Sequence, residues 1–257
     1  MAADTPYLDL PGPKSRYNGY LRHDVVVDGC DCIIVEPHEE APGRFWIWRA
    51  EFFDNWPDAD LALLARGFYL VYIDVRNTFG CPSAMDHFDV LYDVLTRQHG
   101  FHPRAVLEGF SRGGLYCYNW ARRDPRRVAC IYGDAPVCDF KSWPAGRGRG
   151  HGNPPEWQKL IHDYGFASEE EALAYPGNPV DNLEPLAAAR IPLIHVFGDA
   201  DADVPWEENT KVVYDRYTAL GGHMELIPKP GVAHHPHSLD DPTPIVEFIL
   251  RCTVGRA

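Results

Sequence analysis

The sequence predicts an α/β fold, a mostly parallel twisted sheet with helices on both faces. Two observations predict it. Strand-length apolar runs alternate with helix-length amphipathic runs along most of the chain, the pattern that builds a parallel sheet covered by helices. In addition, the stretch Gly109-Phe110-Ser111-Arg112-Gly113-Gly114 joins the apolar run Ala105-Val106-Leu107 to a helix-like run over 115–121. It therefore reads as strand, tight turn and helix, with a serine at the apex.

The elements follow in order. Residues 1–18 read as an irregular arm. Residues 24–27 and 32–35 read as a hairpin around Asp28-Gly29. Phe45 to Trp48 is a buried-strand candidate. Residues 58–66 form a helix ending at Gly67, and 68–75 the next strand. An amphipathic helix over 86–99 closes at Gly100, strand 104–109 leads to the serine turn, and 128–132 is a further strand. From 138 to 180 the alternation breaks into a Gly- and Pro-rich loop with two short helices, 156–164 and 168–175. Ser168 and Glu171 make a capping box for the second. The alternation resumes with strand 191–198, helix 207–220, strand 224–228 and a closing helix over 244–252.

Composition bounds the function. With 257 residues, 45% of them hydrophobic, residues 1–257 are expected to form a single domain, with 138–180 as an inserted cap or lid. A formal net charge of -13 argues against nucleic acid and anionic membranes as partners, and no apolar run is long enough to span a bilayer. Residues 1–13 lack the basic start and apolar core of a signal peptide, so a cytoplasmic protein or the mature form of a secreted one is expected. The seven cysteines are an odd number, and buried reduced thiols are the expected state. Cys30-x-Cys32 lacks a second cysteine pair at zinc spacing, and no metal or cofactor is expected.

The chemistry rests on three strand ends. The serine turn has flanking glycines because its backbone is sharply bent and crowded, and Ser111 stands at a helix N-terminus, where negative charge is favoured. Strand 191–198 runs into Asp199-Ala-Asp201-Ala-Asp203-Val-Pro205, and the last strand runs into Gly231-Val-Ala-His234-His235-Pro-His237. A serine hydroxyl needs an imidazole to take its proton, and the imidazole needs a carboxylate on its other nitrogen. The order Ser, Asp, His fits Ser111, Asp201 and His234.

On these residues the chain resembles the α/β-hydrolase superfamily over about 24–252. Gly109 to Gly114, the run 134–140, Gly198 to Pro205 and the run 230–239 resemble a bacterial esterase-like or prolyl-oligopeptidase-like branch. The resemblance implies an α/β-hydrolase fold with an inserted lid and a metal-free serine hydrolase. In its Gly-x-x-Asp-x-x-Val-Pro and Gly-x-x-His patterns the acid falls on Asp201 and the base on His234. The oxyanion hole then falls on the N–H groups of Arg112 and Glu51, with Ala50 as fallback. Arg49-Ala50-Glu51 departs from the small neutral residues of that family loop, so Arg49 and Glu51 either pair with each other or line the site.

Carboxylic esters, acetyl esters of carbohydrates first among them, are the leading substrate class. The alternatives are an amidase or exopeptidase and a non-catalytic binding protein of the same fold. Lys141 to His151 is basic with no acid between, and Trp143 offers a flat face. Arg49, Trp143, Arg147 and Arg149 are therefore candidate substrate-binding residues for an acylated sugar or uronate.

Overall fold

The computed structural model describes residues 8–256. Residues 1–7, and with them much of the expected arm and of the segment judged against a signal peptide, lie outside the described residues. A nine-stranded sheet runs through the middle in the order β1-β2-β3-β5-β4-β6-β7-β8-β9. The strands are β1 (Lys14–Tyr17), β2 (Tyr20–Val27), β3 (Cys30–Glu36), β4 (Trp46–Arg49), β5 (Tyr69–Ile73), β6 (Ala105–Phe110), β7 (Val128–Asp134), β8 (Leu193–Gly198) and β9 (Met224–Lys229). The pairings from β1 through β3 to β5 are antiparallel, and those from β5 through β4 to β9 are parallel. The sheet is thus mixed, mostly parallel and flanked by helices on both faces, which is the α/β-hydrolase fold with helical insertions.

The arm is not irregular throughout. Tyr17 pairs with Tyr20 across a two-residue turn, Asn18-Gly19, with φ of 48° and 88°. Both residues lie in the left-handed region that a tight hairpin turn requires and that Asn-Gly supplies at low cost. The expected hairpin around Asp28-Gly29 forms in the same way.

Alternate residues on each strand face opposite layers, so the strands feed two cores. Trp46, Trp48 and Val71 pack on one face with Phe88 and Leu91 of α2 (Pro82–Asp93), Tyr116 and Trp120 of α3 (Gly113–Arg123) and Val213 of α7 (Thr210–Ala219). Ile47, Leu70, Val106 and Ile194 pack on the other with Leu63 of α1 (Asp58–Leu64) and Ile245, Val246, Phe248 and Ile249 of α8 (Thr243–Cys252). The spacing in α8 lays one apolar stripe onto the sheet. Helix α2 begins at Pro82, four residues before the expected start. Proline is suited to a first helical position because its missing N–H has no partner there in any case. At the other end a wider π-helical turn over Val94–Gln98 completes the run.

Between β7 and β8 the chain inserts α4 (Pro154–Tyr164), α5 (Glu169–Ala174) and α6 (Glu184–Ala188). Phe140, Trp157, Leu160 and Ala172 form a small core of their own against Phe79, Leu115, Val137 and Val204, which seats the insertion over the start of α3. Asn153 Oδ1 caps α4 and Ser168 Oγ caps α5. Glu171 reaches back to the N–H of Ala167, at 2.6 Å, to close the second cap. Six of the seven cysteines are buried. Burial pushes the Cys32 thiol up to about 12 and raises Cys117 and Cys138 as well, which holds these groups as neutral thiols. Among the described residues no helix is long and apolar enough to cross a membrane.

Candidate active site

The sheet order places the site. The chain leaves β4 to build β5 on one side and returns to build β6 on the other. Loops after β4 and β6 therefore diverge from neighbouring strand ends, and a crevice opens between them. Ser111 follows β6 and Glu51 follows β4.

Ser111 has φ of 49°, a strained conformation for a non-glycine residue. Its backbone is held on both sides: its N–H donates to Asp134 O at 2.9 Å, and its carbonyl accepts from Val137 N at 2.8 Å and Gly114 N at 3.0 Å. The steric demand for glycine falls on Gly109 and Gly114. A Cβ on Gly109 would lie 2.7 Å from the Gly113 backbone, and one on Gly114 would lie 2.7 Å from Pro136 Cβ and Val137 O. At Gly113 a Cβ would make only ordinary contact, 3.5 Å from Glu51 Cβ.

The three residues named from strand ends meet. His234 Nε2 stands 2.9 Å from Ser111 Oγ, and His234 Nδ1 stands 2.7 Å from Asp201 Oδ2. The other oxygen of Asp201 accepts from the N–H groups of Asp203 and Val204, each at 2.9 Å. The carboxylate is thus fixed by three donors, and with it the ring. All three side chains are buried, yet Ser111 and His234 border a cleft of about 330 Å³ whose walls include Phe52, Trp56 and Trp143.

The loop after β4 brings Glu51 N to the serine turn, 4.0 Å from where a Gly113 Cβ would sit. The fallback is removed, since Ala50 N–H is committed to Glu108 O at 3.0 Å. Arg112 ties the two loops together. Its Nε donates to Glu51 Oε2 at 3.2 Å and its guanidinium lies 4.7 Å from the centre of the Phe52 ring. Burial raises the Glu51 pKa against the pull of Arg112.

Arg49 requires correction. It neither pairs with the Glu51 carboxylate nor lines the cleft; it is 1% exposed. Its Nη1 meets Asp60 Oδ2 at 2.7 Å and Glu108 Oε1 at 3.2 Å, and its guanidinium lies 3.9 Å from the centre of the Phe110 ring. It also donates to the backbone carbonyls of Glu51, Phe52 and Asn55. Arg49 is therefore the post around which the Glu51 loop is wound. Burial and neighbouring Asp60 push the Glu108 carboxyl far above the usual range, so two acids face one arginine without two full negative charges. Removing one partner of such a buried cluster costs about 3–5 kcal/mol.

Of the other substrate candidates, Trp143 borders the cleft, whereas Arg147 and Arg149 are not among the residues that line it. Arg147 pairs with Glu169, and the exposed Arg149 lies 3.9 Å from Glu207. The acids that answer these charges come from α5 and the loop before α7.

Two neighbours of the site, Asp134 and His237, were seen in the sequence but given no role there. Asp134, wholly buried at the end of β7, accepts from His237 Nδ1, Ser238 N and Tyr132 OH, all at 2.8 Å. Burial works to raise its pKa, but these donors and Lys229 outweigh that and hold the carboxyl below the usual range. Burial likewise pulls His237 down despite Asp134, so its ring is neutral with Nδ1–H donating. Asp134 and His237 are 103 residues apart, and the signal available was a third histidine in the same loop.

No protein-family model matches this chain, and no curated protein does. Many solved structures match in fold. The chain is similar to dipeptidyl peptidase 4 of Porphyromonas gingivalis, with TM-score 0.67 and 14% identity over 91% of this chain and 36% of that one. It is similar to a puromycin-hydrolyzing peptidase of Mycobacterium tuberculosis, with TM-score 0.66 and 12% identity over 90% and 38%. It is also similar to a bacterial membrane phospholipase A, with TM-score 0.58 and 15% identity over 92% and 86%. The chain spans little more than a third of either peptidase. At these identities the likeness is one of fold, and the fold it shows is that of the α/β-hydrolases.

Proposed function

We propose that the protein is a serine hydrolase working by acyl transfer, and that its substrates are aminoacyl or short-peptide amides and the corresponding esters. The observation that carries this reading is the hydrogen-bond line Asp201–His234–Ser111 at the edge of a cleft. In this mechanism Ser111 Oγ attacks the carbonyl carbon while His234 Nε2 takes its proton. The C–N or C–O bond then breaks as His234 returns that proton to the leaving group. Water, deprotonated by the same nitrogen, releases the acid and regenerates Ser111. Asp201 fixes the tautomer of His234 and stabilises its charged form. The N–H groups of Arg112 and Glu51 hold the oxyanion, and the side-chain contact between these two residues keeps the donors in register.

The amide reading is preferred to acetyl esters of carbohydrates on two supports. Peptidases stand among the solved structures of like fold. Arg147 and Arg149, on which an acidic sugar depended, lie outside the cleft lining. The aromatic walls suit an apolar or aromatic acyl group. Steady-state kinetics with aminoacyl anilides beside aryl acetates test the reading. Turnover of both is expected, with the higher kcat/KM on the aminoacyl substrate and a burst of phenol from the ester. Turnover of aryl acetates alone would return the preference to simple esters. Failure of both, or rates untouched by Ser111→Ala, would overturn the hydrolase reading.

A further inference from the structure

His234, His235 and His237 each have a ring nitrogen that lies within 4.8 Å of the other two. Two of these rings are prepared in the same way. A carboxylate holds Nδ1 of His234 at 2.7 Å and Nδ1 of His237 at 2.8 Å, which leaves Nε2 of each as the nitrogen with an available lone pair. This is the arrangement by which outer carboxylates orient histidines that ligate a metal. The third ring, on exposed His235, lies nearly parallel to Trp56, with centroids 5.2 Å apart and an angle of 12°. It is the exposed ring of the three. All three rings border the same cleft.

We propose that His234, His235 and His237 form a reversible inhibitory site for a borderline transition-metal ion such as Zn2+. Three imidazoles select Zn2+, Co2+, Ni2+ or Cu2+ over Mg2+ and Ca2+, which prefer oxygen ligands. Tetrahedral coordination at about 2.0–2.1 Å needs nitrogens roughly 3.3 Å apart. The three nitrogens, none more than 4.8 Å from another, must therefore close by about 1.5 Å at most, which requires the His234 and His237 rings to shift on their carboxylates as well as His235 to move. Bound metal occupies the lone pair of His234 Nε2, the acceptor for the Ser111 proton in the mechanism above. No bond is made or broken in the protein beyond coordination, so a chelator reverses the effect. The inhibition rests on the proposed function; the binding does not.

Calorimetry with Zn2+ and visible absorption with Co2+ read binding without any substrate. The expected results are a 1:1 isotherm and the intense d–d bands of four-coordinate Co2+. Hydrolysis should fall in step with occupancy and return on adding EDTA. His235→Ala, at an exposed position, should weaken binding roughly tenfold or more, and the double variant with His237→Ala should bind more weakly still. Ser111→Ala, which retains all three histidines, should bind as wild type does. Metal binding by a protein with no hydrolase activity would leave this site standing and sink the reading above. Hydrolysis indifferent to saturating Zn2+, or increased by it, would overturn the inhibitory site. Unchanged binding in His235→Ala would place the ion elsewhere and overturn it too.

Discussion

Two histidine–aspartate pairs share the loop after β9. His234 meets Asp201 through Nδ1 at 2.7 Å, and His237 meets Asp134 through Nδ1 at 2.8 Å. Their rings are perpendicular, with centroids 5.0 Å apart. The pairs differ in what surrounds them. His234 Nε2 faces Ser111 Oγ at 2.9 Å. Asp134 instead gathers Tyr132 OH and Ser238 N as well, and so ties the loop to β7. A carboxylate on one imidazole nitrogen is common to both, so it does not by itself make a general base. The group opposite the other nitrogen decides.

Exchanging the histidines is the strongest way to break this comparison. His234→Ala should lower kcat by about 10⁴-fold or more, since the base is gone while oxyanion donors remain. His237→Ala should lower kcat by less than about tenfold, and should lower Tm instead. Equal losses in kcat would make the two pairs one catalytic unit.

The aspartates sharpen the same contrast. Asp201→Asn should cost about 10⁴-fold in kcat and, since this buried carboxylate also has three donors, about 1–3 kcal/mol of stability as well, whereas Asp134→Asn should leave kcat within about tenfold. Asp134→Asn should lose about 1–3 kcal/mol of stability, because a buried carboxylate with three donors is replaced by a group that cannot accept from all of them. Asp203, whose N–H goes to Asp201 and whose exposed carboxylate meets His151 Nδ1 at 3.3 Å, should tolerate Asn.

Acid unfolding separates Asp134 from a third buried histidine. Its folded pKa lies below the unfolded value of about 3.9, so its contribution is present above that pH and lost as pH falls through the folded value. His195, in β8 between Tyr118 OH and Thr210 Oγ1, is pulled by burial from 6.5 down to about 3. The unfolded chain takes up that proton first, so stability falls as pH drops from about 6.5 toward about 3, by up to about 1.4 kcal/mol per unit. Unfolding free energy measured against pH should therefore lose part of its slope above about pH 4 in His195→Gln, with His237 among the groups that keep the rest, and part of its slope below about pH 4 in Asp134→Asn.

The smallest effect is expected outside both pairs. Arg147→Ala and Arg149→Ala remove exposed ion pairs and should each change stability by less than about 0.5 kcal/mol. KM for a carboxylated and a neutral ester should stay the same in the double variant; a rise for the carboxylated one alone would return these arginines to the substrate.

The three strand-end loops were legible because the fold puts short, fixed segments there: a turn crowded at Gly109 and Gly114, and two loops entered from the neighbouring parallel strands β8 and β9. Asn18-Gly19 was equally legible as a hairpin turn but was absorbed into an arm read as one piece. Arg49 was not legible. A charged residue beside a loop looks exposed until Asp60 and Glu108, 11 and 59 residues away, are folded against it. Arg147 and Arg149 looked unopposed for the same reason: Glu169 and Glu207 lie outside the basic segment. Long-range charge pairing leaves no periodic mark in a sequence, whereas strand, turn and helix signals are local.

The central claim is that Ser111, made nucleophilic by His234, carries the chemistry. Fluorophosphonate labelling followed by peptide mass spectrometry tests it most directly. The account predicts a single adduct on the peptide containing Ser111, formed at a rate that collapses in His234→Ala and persists in His237→Ala. An adduct on another serine, or equal labelling of Ser111→Ala, would contradict it.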